Sequence, residues 1–155
     1  MAKRPPLRSC EFFVPGIPRP QAALSPGINR KTGKIFTRYS NKDALMPWRA
    51  RITALAVTHW TPGPSKLAIC VAMKFIFVRP KCHYRTGAHA NELKPSAPAL
   101  PSEGQIPDLD HLERAVNDAL TGVAFYNDRQ VARHMTGKHY GPMPGVQLTV
   151  SEIEE

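Results

Sequence analysis

The segment from Leu67 to Phe77 constrains the fold more than any other stretch of the chain. Leu67, Ile69, Val71, Met73, Phe75 and Phe77 alternate with Ala68, Cys70, Ala72, Lys74 and Ile76, the period of two that a β-strand imposes because successive side chains point to opposite faces. The second set is largely apolar as well, so this strand is expected at the centre of a sheet and covered on both faces. A chain of 155 residues, 42% of them hydrophobic, builds one domain around such a strand. That domain is read over residues 1–155, with residues 1–9 flexible. No run of 18 or more apolar residues is present, and the basic start lacks the apolar stretch of a leader, so a soluble cytoplasmic protein is expected. Cys10, Cys70 and Cys82 match neither a disulfide framework nor a zinc spacing, which fits a reducing compartment.

Around the central strand the remaining elements follow from periodicity and breakers. Glu11 to Val14 is a short strand stopped by Pro15-Gly16. Lys31-Thr32-Gly33-Lys34 forms a turn into a strand near Ile35–Thr37. A helix is expected from about Ala44 to His59, with Trp48, Ile52, Leu55, Ala56 and His59 at helical spacing and Pro47 confined to its first turn. Residues 80–105 lose periodicity and form a long, basic, Pro-rich loop, of the kind that is usually functional or disordered. A second helix begins near Asp108 or Asp110 and ends at Leu120 before Gly122. Two more strands fall near 130–138 and 146–153. The order β, β, α, β, α, β, β predicts an α/β domain: a mixed sheet of about five strands with two helices.

Charge divides the chain unevenly. Residues 1–51 carry eleven Lys/Arg and two acids, residues 52–100 six and one, and residues 101–155 four and nine. A basic surface of this density suits a polyanionic partner, because each neutralised phosphate releases condensed counterions. Arg19, Arg30, Lys31, Lys34 and Arg38 lie around the first hairpin, and Lys81 and Arg85, with Lys94, lie in the long loop. Six of the twelve acids sit between Glu103 and Asp128. Carboxylates gathered inside a phosphate-binding chain point to a metal.

Those acids are spaced for it. Asp108 and Asp110 stand at i and i+2 on the approach to a helix, where both carboxylates reach one hard cation. A helix needs only one N-cap aspartate. Asp110, Arg114 and Asp118 are four apart on one helical face, and for Asp118 plain ion pairing is the favoured reading. Asp128, in the loop beyond, is expected to return to the helix N-terminus as a third ligand. Oxygen ligands of this kind hold Mg²⁺ or Mn²⁺, which keep several waters and complete their shell with substrate phosphate. Such ions drive phosphodiester cleavage by activating water and stabilising the leaving oxygen, and Arg114 is placed to stabilise charge on the phosphorus. Glu113 and His111 are weaker candidates. No Gly-rich phosphate loop, nucleophile elbow or histidine-metal signature accompanies them, and no small-molecule cofactor is implied.

The segment Pro107-Asp108-Leu109-Asp110-His111-Leu112-Glu113-Arg114-Ala115-Val116-Asn117-Asp118-Ala119-Leu120, with Asn127-Asp128 after it, resembles the hallmark of the RusA family of Holliday-junction resolvases. Phe13-Val14-Pro15-Gly16-Ile17-Pro18 is similar to that family's first strand and turn, and Lys138 stands where its last strands often carry a lysine. The resemblance implies a RusA-like fold in a homodimer that cuts branched, four-way DNA with Mg²⁺, Mn²⁺ being a substitute, in recombination and repair. It assigns Asp108, Asp110 and Asp128 as the catalytic, metal-holding acids and adds Lys138 to the DNA-binding set. Three positions depart from the pattern: Arg114 replaces lysine, His111 asparagine, and Asn127 the first aspartate of a pair. Arginine keeps the charge but does not readily release a proton, and Asn127 offers a carbonyl without charge. Two alternatives follow from these departures and from the unspecific chemistry: a junction-binding protein without catalysis, and a nuclease of flaps or forks.

Overall fold

The computed structural model describes residues 4–154. In chain order it contains β1 (Ser9–Pro15), β2 (Leu24–Ile28), β3 (Ile35–Tyr39), α1 (Lys42–His59), β4 (Ala68–Phe77), α2 (Leu109–Leu120), β5 (Val131–Tyr140) and β6 (Gly145–Ile153). Four strands form one mixed sheet in the order β1-β6-β4-β5. The alternating segment is therefore central, as its composition requires, antiparallel to β6 and parallel to β5. A parallel pair needs a crossover, and the connection from β4 to β5 supplies it through α2. The expectation of an α/β domain with two helices and a mixed sheet is met.

Both helices lie on one face of the sheet. Leu45, Trp48, Ile52 and Ala56 of α1 and Leu112, Val116 and Leu120 of α2 join Ile69, Val71, Met73 and Phe75 of β4 in a single buried cluster. Among the described residues nothing supplies the expected cover on the second face of β4. Cys70, Ala72 and Ile76 are only half buried and Lys74 is exposed, and an open groove runs there past Met135, Gly137, Gln147 and Thr149. Small apolar side chains on that face mimic a core pattern without needing a covering layer. Pro47 also lies elsewhere than expected. The helix starts at Lys42, earlier than read, so Pro47 lies in its second turn on the exposed side, where the missing N–H leaves a carbonyl to water.

The strand expected near residue 35 does not join the main sheet. It pairs with β2, which the sequence reading had missed, as a separate two-stranded ribbon. Its tip is built by Asn29, whose side-chain oxygen accepts from the Lys31 N–H at 2.9 Å while its carbonyl accepts from Gly33 N–H at 2.7 Å. Gly33 has φ 68°, the left-handed region that favours glycine. The long loop after β4 has a frame of its own. Arg85 N–H donates to the Glu92 carbonyl and Lys94 N–H to the His83 carbonyl. Arg79 fastens the loop to the sheet, donating to the Pro98 carbonyl at 2.6 Å and lying 4.1 Å from the Tyr140 ring centre. The first three residues of the expected flexible start lie outside the described residues. Arg8 is held firmly, donating to Glu152 through its backbone N–H and its Nε, both at 2.8 Å.

Candidate active site

Asp108 occupies the N-cap position of α2 with extended backbone, φ −64° and ψ 143°, yet its side chain makes no capping bond. The ordinary use of an aspartate here is to accept from the N–H groups of the first turn. Its carboxylate is left exposed instead, beside Asp110 in the first helical turn. One ligand atom from each of Asp108, Asp110 and His111 lies within 4.8 Å of the others, and His111 Nε2 is 3.7 Å from Asp110 Oδ2. Two carboxylates and an imidazole in this compass fit a divalent ion with open positions for water and substrate oxygen. The expected Asp108–Asp110 convergence is present, though one residue is extended and the other helical.

Three ties hold the cluster. Burial of Leu112, Ala115 and Val116 fixes the rotation of α2. Lys138 on β5 donates its ammonium to the Pro107 carbonyl at 3.2 Å, and Gln21 N–H donates to the His111 carbonyl at 3.0 Å. The last contact places the root of the basic ribbon at the edge of the cluster, since Asn41, at the other end of the ribbon, donates to the Pro20 carbonyl at 2.7 Å.

Asp128 lies elsewhere in the chain's own fold. It opens a short turn, Asp128–Gln130, beyond the C-terminus of α2, and it is not a member of the ligand group. Gln130 anchors this turn by donating to the Ser65 and Leu67 carbonyls at 2.8 and 3.0 Å, a clamp the sequence did not announce. Gly122 N–H also donates to the Phe125 carbonyl at 2.7 Å, and these ties keep Asp128 toward the C-terminal end of α2, whose twelve residues span about 18 Å. Asn127 uses its side-chain oxygen to accept from Arg129 N–H at 2.9 Å. Asp118 pairs with Arg49 of α1 at 4.0 Å rather than with Arg114, which is exposed and has no ion pair among the described residues. Glu113 instead meets His134 of β5 at 3.5 Å.

Of the proposed DNA contacts, Arg30, Lys31, Lys34 and Arg38 are exposed on the ribbon and Arg19 is half buried just before it. Lys81 is exposed in the long loop, while Arg85 is partly neutralised by Glu92 at 3.0 Å. Lys138 is directed at Pro107 and the acidic approach. The model of the endodeoxyribonuclease RusA family matches residues 15–151. The chain belongs to the RusA family. A search of curated proteins returns no match. RusA proteins are endodeoxyribonucleases of the kind that resolve Holliday junctions, and in this member the free Asp108 carboxylate lies inside the matched region. His111, which departs from the family asparagine, contributes a nitrogen donor to the same cluster. Among the described residues no helix is long and apolar enough to cross a membrane.

Proposed function

We propose that this chain is a Mg²⁺-dependent, structure-selective endodeoxyribonuclease that cuts four-way DNA junctions as a homodimer, with Mn²⁺ as a substitute ion. The observation that carries the reading is the Asp108 carboxylate, left without a capping bond beside Asp110 and His111. A bound divalent ion would supply activation of water and stabilisation of the leaving oxygen. The chain's own residues do the rest. Asp108, Asp110 and His111 would hold the ion, Lys138 fixes the Pro107–Asp108 backbone, and Arg114, exposed and without an ion pair among the described residues, would meet charge on the scissile phosphate. The basic ribbon and long loop supply phosphate contacts through Arg19, Arg30, Lys31, Lys34, Arg38, Lys81 and Arg85. Free thiols at Cys10, Cys70 and Cys82 suit a cytoplasmic setting.

Separation of Asp108 from Asp128 by the length of α2 bears on the dimer. The three acids meet on one ion only if Asp128 of the partner subunit completes the site of each chain, and a two-fold dimer matches the two equivalent strands of a four-way junction. The test incubates the protein with labelled four-way, flap, fork, duplex and single-stranded DNA in Mg²⁺, Mn²⁺ or EDTA. Cutting of the four-way junction alone, abolished by EDTA, is the expected result, and binding without cutting in either ion rejects the nuclease reading. Mixing the inactive Asp108→Asn and Asp128→Asn proteins should restore cutting, because one of the two shared sites is then intact. A lack of recovery would reject the shared site.

A further inference from the structure

The ribbon carries a second feature that its charges do not account for. Its register pairs Ile28 with Ile35 and Pro26 with Thr37, so alternation puts Leu24, Pro26, Ile28 and Ile35 on one face and Ser25, Phe36 and Arg38 on the other. Leu24 is 58% exposed, Ile28 67% and Ile35 74%. Among the described residues, each ribbon strand makes its extensive contacts with the other ribbon strand alone. On the opposite face the Phe36 ring, 43% exposed, folds back over Gly27, where a Cβ would stand 2.7 Å from it. A lone two-stranded hairpin is marginal in water, and a contiguous aliphatic face on it marks a surface that another molecule covers.

Charge selects the occupant. Leu24 to Tyr39 holds Arg30, Lys31, Lys34 and Arg38, and no acid occurs between Glu11 and Asp43. The complement of an aliphatic face on such a cationic arm is nucleic acid whose bases are uncovered, because apolar side chains on DNA-binding proteins seat between unstacked bases. A four-way branch point offers unstacked bases at lower cost than a duplex does. We propose that the Leu24–Ile28–Ile35 face wedges into the branch point of a DNA junction while the tip cations hold the phosphates beyond it. This rests on the reading of the chain as a junction nuclease. The ribbon starts beside His111, and its strands of five residues reach about 17 Å. At about 3.4 Å per base along a strand, the displaced base lies within about five nucleotides of the cut.

The experiment uses full-length Asp108→Asn protein, which holds the junction uncut, and four-way junctions with 2-aminopurine at each position near the branch. Binding should raise its fluorescence at a position within that span. Ile28→Thr/Ile35→Thr, which keeps β-branched side chains in the strands, should lose the rise and lower junction preference over duplex by about tenfold. Ile28→Val/Ile35→Val should retain both. Arg30→Ala/Lys31→Ala/Lys34→Ala should instead flatten the salt dependence on junction and duplex alike. A fluorescence rise that survives the threonine substitutions overturns the wedge, and so does a fall in the mass of the free protein on making them, which would assign the face to a second copy. Failure of the wild-type protein to cut any junction rejects the nuclease reading itself, whereas normal cutting with an unaltered fluorescence response rejects the wedge alone.

Discussion

Glu152 and Asp108 are both carboxylates at the ends of secondary structure, and the chain treats them in opposite ways. Glu152, on β6, is buried. It accepts from Arg8 N–H and Arg8 Nε, and Arg8 also donates to the Gly63 carbonyl at 2.8 Å and lies over Trp60. Burial alone pushes its carboxyl up, but the Arg8 N–H, the Ser65 hydroxyl and the Arg8 guanidinium outweigh that and hold it below its ordinary 4.5. Asp108 is exposed and declines even the capping bond its position offers. A carboxylate that stabilises a fold is saturated by its own chain, and one that serves chemistry keeps its lone pairs for something outside.

The contrast is broken most severely at the open carboxylates. Asp108→Asn or Asp110→Asn should lower junction cleavage by about 100-fold or more while changing unfolding free energy by no more than about 0.5 kcal/mol, as read by gel assay and denaturant melts. Full activity in both would remove the site. Glu152→Gln should do the reverse, costing about 2 kcal/mol of stability with cleavage per folded molecule unchanged. Its pH dependence has a definite sign. Because the folded pKa is depressed, the contribution of Glu152 is complete above 4.5 and fades as pH falls through the folded value. Melts of wild type and Glu152→Gln should therefore converge in acid, and a gap that widens there would contradict the pairing. The smallest effect is at Arg114. Arg114→Ala should slow turnover by about tenfold and Arg114→Lys recover most of it, as a charge on the phosphate requires. Normal cutting by the alanine protein would leave Arg114 as a helix-surface residue.

What could be read from the sequence follows the same division. β4, α1 and α2 were legible because burial writes a period into the residues that make the core. Strand β2 was not, since Ser25-Pro26-Gly27 reads as a breaker and the ribbon packs into no core that would impose alternation. The open face of β4 was misread because Ala68, Cys70 and Ala72 count as apolar without demanding cover. Asp108 and Asp110 were legible as a pair whose second acid exceeds what a cap needs. The location of Asp128 was not, because a loop of this length permits a return to either end of α2. Burial of Phe125 and the Gln130 clamp to Ser65 and Leu67 decide it, and neither contact is local in sequence.

If the unsaturated carboxylates of Asp108 and Asp110 hold a divalent ion, they should do so in the absence of DNA. Titration of the full-length protein with Mn²⁺, followed by the loss of the free ion's electron paramagnetic resonance signal, tests it without DNA or turnover. The wild-type and Glu152→Gln proteins should bind Mn²⁺ alike, and the Asp108→Asn/Asp110→Asn protein should not bind it. Equal Mn²⁺ binding by the doubly substituted protein would contradict it.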